Sequence, residues 1–450
     1  MENNGSVDVV IEKLIYGGYG LARYNNEIYM VENVYPQDIV RVKEKFKKKN
    51  TIFASVEQII KPSPYRTASP CKHFPKCGGC QWLGLKYEQQ LQAKHSIVEE
   101  QFRRIGSIEV NVSQIIESDD STQYRSKMEF GFSYGKKTVL GLKEASTHNI
   151  IDINNCIISP APFDKIRNTV KSIISDMNLS VYDPEKKSGV LKHLVLRKSF
   201  SKNETMLIFV THTEYFPKEH EFKEELSKKV HADSIVHVMN TSDTVTLRGP
   251  YKTWKGEGVL REEFDGFLFQ IPPTSFFQNN YNVTHKMLNY ILKYFKTLNT
   301  ASDSLLDLYC GVGLFSIYFA PLFKTVYGVE TSKVSIKAAC SNSNINSVRN
   351  TRFSSSKSED FILQSCIESK KFSYAIIDPP REGIGVLSAK NLAKITEKAI
   401  VYISCDPTTL ARDIRAFMES GFEVLSVQPF DMFPNTYHVE CVVLLSKVQN

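Results

Sequence analysis

From about residue 263 the chain alternates short apolar strands with helical segments, and that alternation constrains the fold more than any other feature. The strands read LLDLYC, TVYGVE, SYAIIDPP, AIVYISC, FEVLSVQPF and HVECVVLL. Nearly continuous apolar runs suit strands buried on both faces. Their alternation with helices predicts a doubly wound, Rossmann-like α/β sheet closed by a hairpin-like pair. Open sheets of this kind hold ligands beyond their strand ends. Three reactive side chains fall at such ends: Asp378 in IIDPPREG, Cys405 in YISCDPTTLARD, and Glu440 where FDMFPNTYHVE enters the last strand. A thiol at a sheet rim can act as a nucleophile. An acid and a carboxylate on neighbouring strand ends suggest covalent catalysis with a separate base.

The remaining length is enough for two further domains. The chain has 450 residues, of which 42% are hydrophobic and 23% charged, within the range of a globular protein. No apolar stretch approaches the roughly 20 residues of a membrane span. The polar start MENNGSVDVV lacks the basic and apolar regions of a signal peptide. A cytoplasmic monomer with reduced cysteines is expected. The net charge of +7 is modest, but RVKEKFKKK at 41–49 concentrates six cations with one acid. Such a run serves either as a solvated edge or as a contact to nucleic acid.

Residues 7–60 alternate in the β manner as five short strands, which predicts a small barrel of the OB kind over 1–62. KPSPYRTA is the linker that follows. The central region, 63–262, reads as mostly β, with a helix over 86–106 that presents Leu91, Ile97, Val98, Phe102 and Ile105 on one face, and a second near 163–178. The catalytic region is 263–450. Cys71, Cys77 and Cys80 form a tight group, and Cys156 stands alone in a polar loop. Cys310, Cys340, Cys366 and Cys441 read as buried small hydrophobes.

In SDSLLDLYCGVGLFSIYFA a strand runs into a glycine turn and a helix, with Gly311 and Gly313 allowing a tight turn beneath a ligand. The third glycine that accompanies a pyrophosphate is missing. Glu330 ends the next strand, 19 residues after Gly311, where a carboxylate can accept from both ribose hydroxyls. A nucleoside site without a phosphate site suggests S-adenosylmethionine. Asp378-Pro379-Pro380-Arg381 resembles the acid-Pro-Pro-aromatic motif of amino-methyltransferases, but with Arg381 in the stacking position. A planar cation suits phosphate or carboxylate better than an amine. Carbon methylation is therefore favoured, and on a pyrimidine it needs a nucleophile.

Taken together, DPPREG, IVYISCDPTTLARD, FDMFPNTYHVE and SFFQNN resemble the RNA 5-methyluridine methyltransferases. VIEKLIYGGYGLARY looks like their TRAM domain, and CKHFPKCGGC with Cys156 looks like their iron–sulfur site. The resemblance runs over the whole chain. Two positions depart from it: Asp406 stands where Asn usually follows the cysteine, and Asn435 where Gln, His or Tyr usually precedes the threonine. By resemblance Gln278, Tyr309, Glu330 and Asp378 contact the cofactor, and Cys405 is the nucleophile with Glu440 as general base. The resemblance also implies that Cys71, Cys77, Cys80 and Cys156 bind a [4Fe–4S] cluster in a structural role. Zinc remains an alternative for four thiolates.

The implied substrate is a uridine in RNA, with 23S rRNA ahead of tRNA, because relatives carrying both the barrel and the cluster mostly act there. A non-catalytic RNA-binding or assembly factor is the competing class. A stacked uracil must be unpaired or flipped to expose carbon 6. Tyr16, Tyr19, Arg23, Tyr24 and the 41–49 run are candidates to hold a single strand, as are Lys72, His73 and Lys76 beside the cysteines.

Overall fold

The computed structural model describes residues 6–134, 137–242 and 247–448. Among them, no helix is long and apolar enough to cross a membrane. The N-terminal region forms a six-stranded sheet in the order Ser6–Val10, Ile39–Lys48, Thr51–Lys61, Glu27–Val31, Gly20–Tyr24, Lys13–Leu14. The sixth strand, Lys13–Leu14, is too short to read from alternation. Val9, Ile11, Ala22, Val31, Val40, Val42 and Ile52 form its core. The strands Ile39–Lys48 and Thr51–Lys61 run on beyond that core, so Lys43 to Lys48 are exposed. The basic run lies there, partly neutralised: Arg41 pairs with Asp8 at 2.8 Å, Lys45 with Glu32 at 2.7 Å, and Lys47 with Glu27. Lys43, Lys48 and Lys49 have no ion pair among the described residues.

The central region differs from the mostly-β expectation. Its seven-stranded sheet is ordered Tyr251–Lys255, Ser234–Met239, Thr205–Thr211, Leu191–Lys198, Lys127–Tyr134, Thr138–Lys143, Ile150–Asp152. Thr205–Thr211 and Ser234–Met239 pair in parallel, and a parallel pair needs a crossover. The helix Glu219–Lys229 supplies it. It packs with Ala161–Asp176 over one face, where Phe163, Phe209, Phe222 and Leu226 are buried.

The helix Tyr87–Gln101 continues into a single π turn, Phe102–Gly106. That wider turn breaks the 3.6-residue phase, so Ile105, expected on the buried face, is 45% exposed. Val98, Phe102, Ile108 and Val112 pack instead with Leu410, Ala411 and Ile414, inside the core of the C-terminal region. Short parallel bridges, Val112 to Val427 and Ile116 to Phe430, fasten the same segment to that sheet. The expected division at 262/263 falls inside the strand Leu260–Phe264, which pairs with Phe267–Ile271.

The C-terminal sheet has seven strands, in spatial order Thr351–Ser355, Thr325–Glu330, Ser304–Leu308, Phe372–Ile377, Thr396–Ser404, Glu440–Lys447 and Phe422–Phe430. The first five are mutually parallel; Glu440–Lys447 alone runs antiparallel to them, and Phe422–Phe430, antiparallel to it, shares their direction. Successive residues feed opposite faces: Leu306, Leu308 and Ile377 enter one core, Leu305, Ile376 and Val401 the other. The strand order reverses between Ser304–Leu308 and Phe372–Ile377, which creates the crevice where such sheets bind ligands.

Candidate functional site

The crevice opens into a cleft of 1580 Å³ lined by Gln278, Tyr309, Gly311, Glu330, Asp378, Arg381, Cys405 and Glu440. Topology explains the gathering. Tyr309 and Gly311 follow the strand Ser304–Leu308, Glu330 ends its neighbour, and Asp378 follows Phe372–Ile377. Cys405 follows Thr396–Ser404. The strand Glu440–Lys447 runs antiparallel to it, with Ser404 opposite Cys441, so its first residue stands beside the thiol rather than at the far edge.

The turn is shaped for a ligand. Tyr309 and Gly311 adopt left-handed backbone with φ of 62° and 54°, a conformation that a non-glycine residue holds only under constraint. A Cβ at Gly311 would meet nothing within 4 Å, so the space above it is open. Gly313 differs: its Cβ would touch Ile317 and Ala339, and it does not line the cleft. Its role is close packing at the start of the helix Leu314–Phe319. Tyr309 donates its hydroxyl to Glu359 at 2.6 Å, and Gln278 donates its side-chain amide to Asp378 at 3.0 Å. Glu330 accepts from the Thr331 hydroxyl and the Ser332 backbone N–H, which fixes its carboxylate.

The acids share a cause for their perturbation. Burial pushes the Asp378 carboxyl up to about 7, with the Gln278 hydrogen bond opposing. Burial, with Asp378 nearby, holds Glu440 well above the usual carboxylate range, and the Arg381 guanidinium pulls the other way. The Cys405 thiol is pushed up to about 12 by burial, then by Glu440 and Asp378, while Arg381 again opposes. Arg381 thus faces carboxylates and the thiol, and its Nη2 lies 3.4 Å from His438 Nε2.

Some residues at this site were not singled out from sequence. Asp307 is fully buried beneath the turn; it accepts from the Ser316 hydroxyl at 2.5 Å, and its second oxygen has no partner among the described residues. An acid inside the apolar run LLDLYC was the available signal. Phe276, 63% exposed, and His438 also line the cleft. Lys94, fully buried, forms an ion pair with Asp431 and donates to the Phe433 carbonyl at 3.0 Å. A lysine on the same helical stripe as Ile97 and Val98 was its signal.

The RNA candidates separate. Tyr16 donates to Asp406 at 2.9 Å, beside the thiol, and Tyr19 lines the cleft. Tyr24 is exposed, and Arg23 is paired with Glu12. Tyr19 also meets Phe53 edge-on at 5.6 Å, and Phe53 stacks on the exposed Phe46 at 4.6 Å.

A second pocket, of only 20 Å³, is lined by all four of Cys71, Cys77, Cys80 and Cys156 with Phe74, Leu83, Leu142 and Ile153. Among the described residues no three His, Cys, Asp or Glu side chains are grouped to hold a single metal ion. His73 lines this pocket as well, whereas the Lys76 ammonium faces Glu144 at 3.7 Å. Of the cysteines expected to be buried, Cys310 and Cys441 are, Cys366 is half-buried, and Cys340 is exposed. Cys340 lies on the helix Lys333–Ile345, off its buried stripe of Ser335, Ala338, Ala339 and Asn342.

A sequence profile of the family described as tRNA (uracil-5-)-methyltransferase matches residues 86–448. An uncharacterized RNA methyltransferase of Thermotoga maritima is 43% identical, over 98% of this chain and 98% of its own length. One from Clostridium tetani is 33% identical, over 99% and 97%. The crystal structure of Pyrococcus abyssi tRNA (uracil-54, C5)-methyltransferase in complex with S-adenosyl-L-homocysteine matches at a TM-score of 0.76 and 26% identity, covering 98% of this chain and 100% of that one.

Proposed function

Because the chain belongs to the tRNA (uracil-5-)-methyltransferase family, we propose that it methylates carbon 5 of an RNA uridine through a covalent Cys405 adduct. The observation that carries this reading is the convergence of Cys405, Glu440 and Asp378 with the glycine turn on one cleft. Gln278, Tyr309, Gly311, Glu330 and Asp378 would hold S-adenosylmethionine, with Gly313 setting the turn. The open space over Gly311 suits such a ligand, and S-adenosylmethionine supplies an electrophilic methyl group when bound.

Carbon 5 of uracil is a weak nucleophile. The Cys405 thiolate adds to carbon 6, and the electron pair of the 5,6 double bond moves onto carbon 5 and the 4-carbonyl oxygen. Carbon 5 then takes the methyl group. Glu440 removes the remaining carbon-5 proton; the 5,6 double bond re-forms and the thiolate leaves. A carboxylate held above its usual range by burial is suited to this step, because a base works best with a pKa near the working pH. Arg381 opposes the rise in the Cys405 pKa and so favours the thiolate.

The four cysteines are assigned a [4Fe–4S] cluster. Four thiols lining one apolar pocket form a thiolate-only donor set, which suits a [4Fe–4S] cluster, with zinc as the alternative. When bound, the cluster would tie the segment 71–80 to Cys156. An anaerobic preparation containing zinc and no iron would overturn this assignment. The N-terminal sheet is assigned the role of a TRAM domain, with Tyr19, Phe53 and Phe46 as a stacking ledge leading into the cleft and Lys43, Lys48 and Lys49 as phosphate contacts.

Ribosomal RNA, 23S in particular, is the proposed target. The end-to-end likeness to an archaeal tRNA enzyme supports tRNA as the second reading. Mapping 5-methyluridine in rRNA and tRNA from cells lacking the gene separates the two. The covalent step is tested with Glu440→Gln, which should accumulate a protein–RNA adduct on a denaturing gel. Turnover by that variant with no adduct would remove Glu440 from the mechanism.

A further inference from the structure

Beside Cys405 the N-terminal sheet reaches into the catalytic region. Between its strands Lys13–Leu14 and Gly20–Tyr24 lies a tight turn, Tyr16-Gly17-Gly18. Both glycines have positive φ, 96° and 88°. At Gly18 a Cβ would come within 3.0 Å of the Tyr437 ring and 3.3 Å of Gln81, so only glycine lets the turn dock this closely. The Tyr16 ring meets Tyr437 edge-on at 5.5 Å, and its hydroxyl donates to Asp406 Oδ2 at 2.9 Å.

Asp406 already has a local task. Its Oδ1 accepts from the backbone N–H groups of Thr408 and Thr409 at 2.9 and 3.2 Å, capping the helix Pro407–Met418. An asparagine would cap as well without a charge. The carboxylate therefore places a negative charge next to the thiol, and Oδ2, which the helix does not use, is the oxygen that Tyr16 takes.

We propose that Tyr16 is a positioning residue for Cys405: by donating to the Asp406 carboxylate it holds that charge against the helix start and away from the thiol. Docking of the N-terminal sheet is then a condition of a competent active site as well as of RNA capture. The proposal rests on Cys405 being the reactive thiol. The charged and titratable groups that bear on that thiol are Glu440, Asp378, Arg381, Asp406, Tyr16 and Cys441, and those that bear on Asp406 are Tyr16, Arg412 and Cys405.

The test is the pH dependence of Cys405 alkylation by iodoacetamide in the full chain, followed on the Cys405 peptide by mass spectrometry. It needs no RNA, so its failure is distinguishable from failure of the covalent mechanism, which adduct trapping reads. Below the thiol pKa the rate follows the thiolate fraction. Removing a neighbouring charge shifts a pKa by about one unit, so Asp406→Asn should alkylate roughly tenfold faster at pH 8. Tyr16→Phe keeps the ring packing on Tyr437 but frees the carboxylate, and should alkylate roughly threefold slower. In the double variant the Tyr16 effect should vanish, because the two residues act as one unit. Should Tyr16→Phe fail to fold, a wild-type rate in Asp406→Asn overturns the proposal by itself. A wild-type rate in a folded Tyr16→Phe, or effects that simply add in the double, overturns it too.

Discussion

The cleft that holds Cys405 and the pocket that gathers Cys71, Cys77, Cys80 and Cys156 both use thiols on irregular segments, yet they are built in opposite ways. The cleft is roomy and charged: Glu330, Asp378, Glu440 and Arg381 line it around one thiol. The pocket is narrow and lined by Phe74, Leu83, Leu142 and Ile153, with no carboxylate, lysine or arginine among the described residues on its wall. A lone thiol among carboxylates and a guanidinium has a protonation state that its neighbours and a ligand can tune. Among four thiols in mostly apolar walls, burial disfavours the charged forms of Cys77, Cys80 and Cys156, with a few backbone N–H groups opposing. Space and the sign of nearby charge, more than cysteine itself, separate the proposed reactive site from the proposed ligating one.

The comparison can be broken most severely at the cleft. Cys405→Ala should lower methyl transfer on the order of 10⁴-fold or more while RNA binding persists, measured as 5-methyluridine formed per chain. Methylation that survives would return Cys405 to the class of inert buried thiols. At the pocket, Cys80→Ala should abolish bound iron and lower folding stability by several kcal/mol, yet leave the Cys405 thiol open to alkylation. Metal analysis, thermal unfolding and peptide mapping read the three effects separately.

The two sites are mechanically joined, and that join is also testable. Helix Tyr87–Gln101, which follows the cysteine segment, is clamped by Lys94 to Asp431, and the Tyr87 hydroxyl also donates to Asp431 at 2.7 Å. Lys94→Met leaves a buried carboxylate without its cation and should cost about 3–5 kcal/mol in urea unfolding. The smallest expected effect lies furthest from either thiol. Phe46→Ala should weaken single-stranded RNA binding by about 1–3 kcal/mol, the worth of one base on an aromatic platform, with Cys405 alkylation unchanged.

Much of the candidate site was legible before the fold. Cys405, Asp378 and Glu330 stand at strand ends, and strand ends are visible as apolar runs that stop at Gly, Pro or an acid. Cys71, Cys77 and Cys80 were legible as a spacing, whereas Cys156 joined them only through the family resemblance. The misses share a physical origin. Ile105 was placed on the buried face because a helix was read at constant pitch, and one π turn moved it into solvent. Cys340 was expected to be buried because cysteine usually is, but it lies off the buried stripe of its helix and is exposed. The mostly-β reading overlooked Glu219–Lys229, a charged helix required by a parallel strand pair that local pattern does not reveal. The pairing within the basic run at 41–49 was not legible, because the partners Asp8, Glu27 and Glu32 lie on other strands or beyond their ends.

By itself the sequence determined what short-range physics controls: the strand–helix alternation, the thiol at a strand end, the glycine turn and the cysteine spacing. Only the tertiary structure decided which of these act together. An antiparallel last strand sets Glu440 beside Cys405, a glycine turn from the far N-terminus docks Tyr16 on Asp406, and burial lifts Asp378, Glu440 and Cys405 away from their ordinary pKa values. Each depends on distances between residues tens or hundreds of positions apart. Electrostatic and hydrogen-bonding energies follow those distances and the local exclusion of water, which no local pattern encodes.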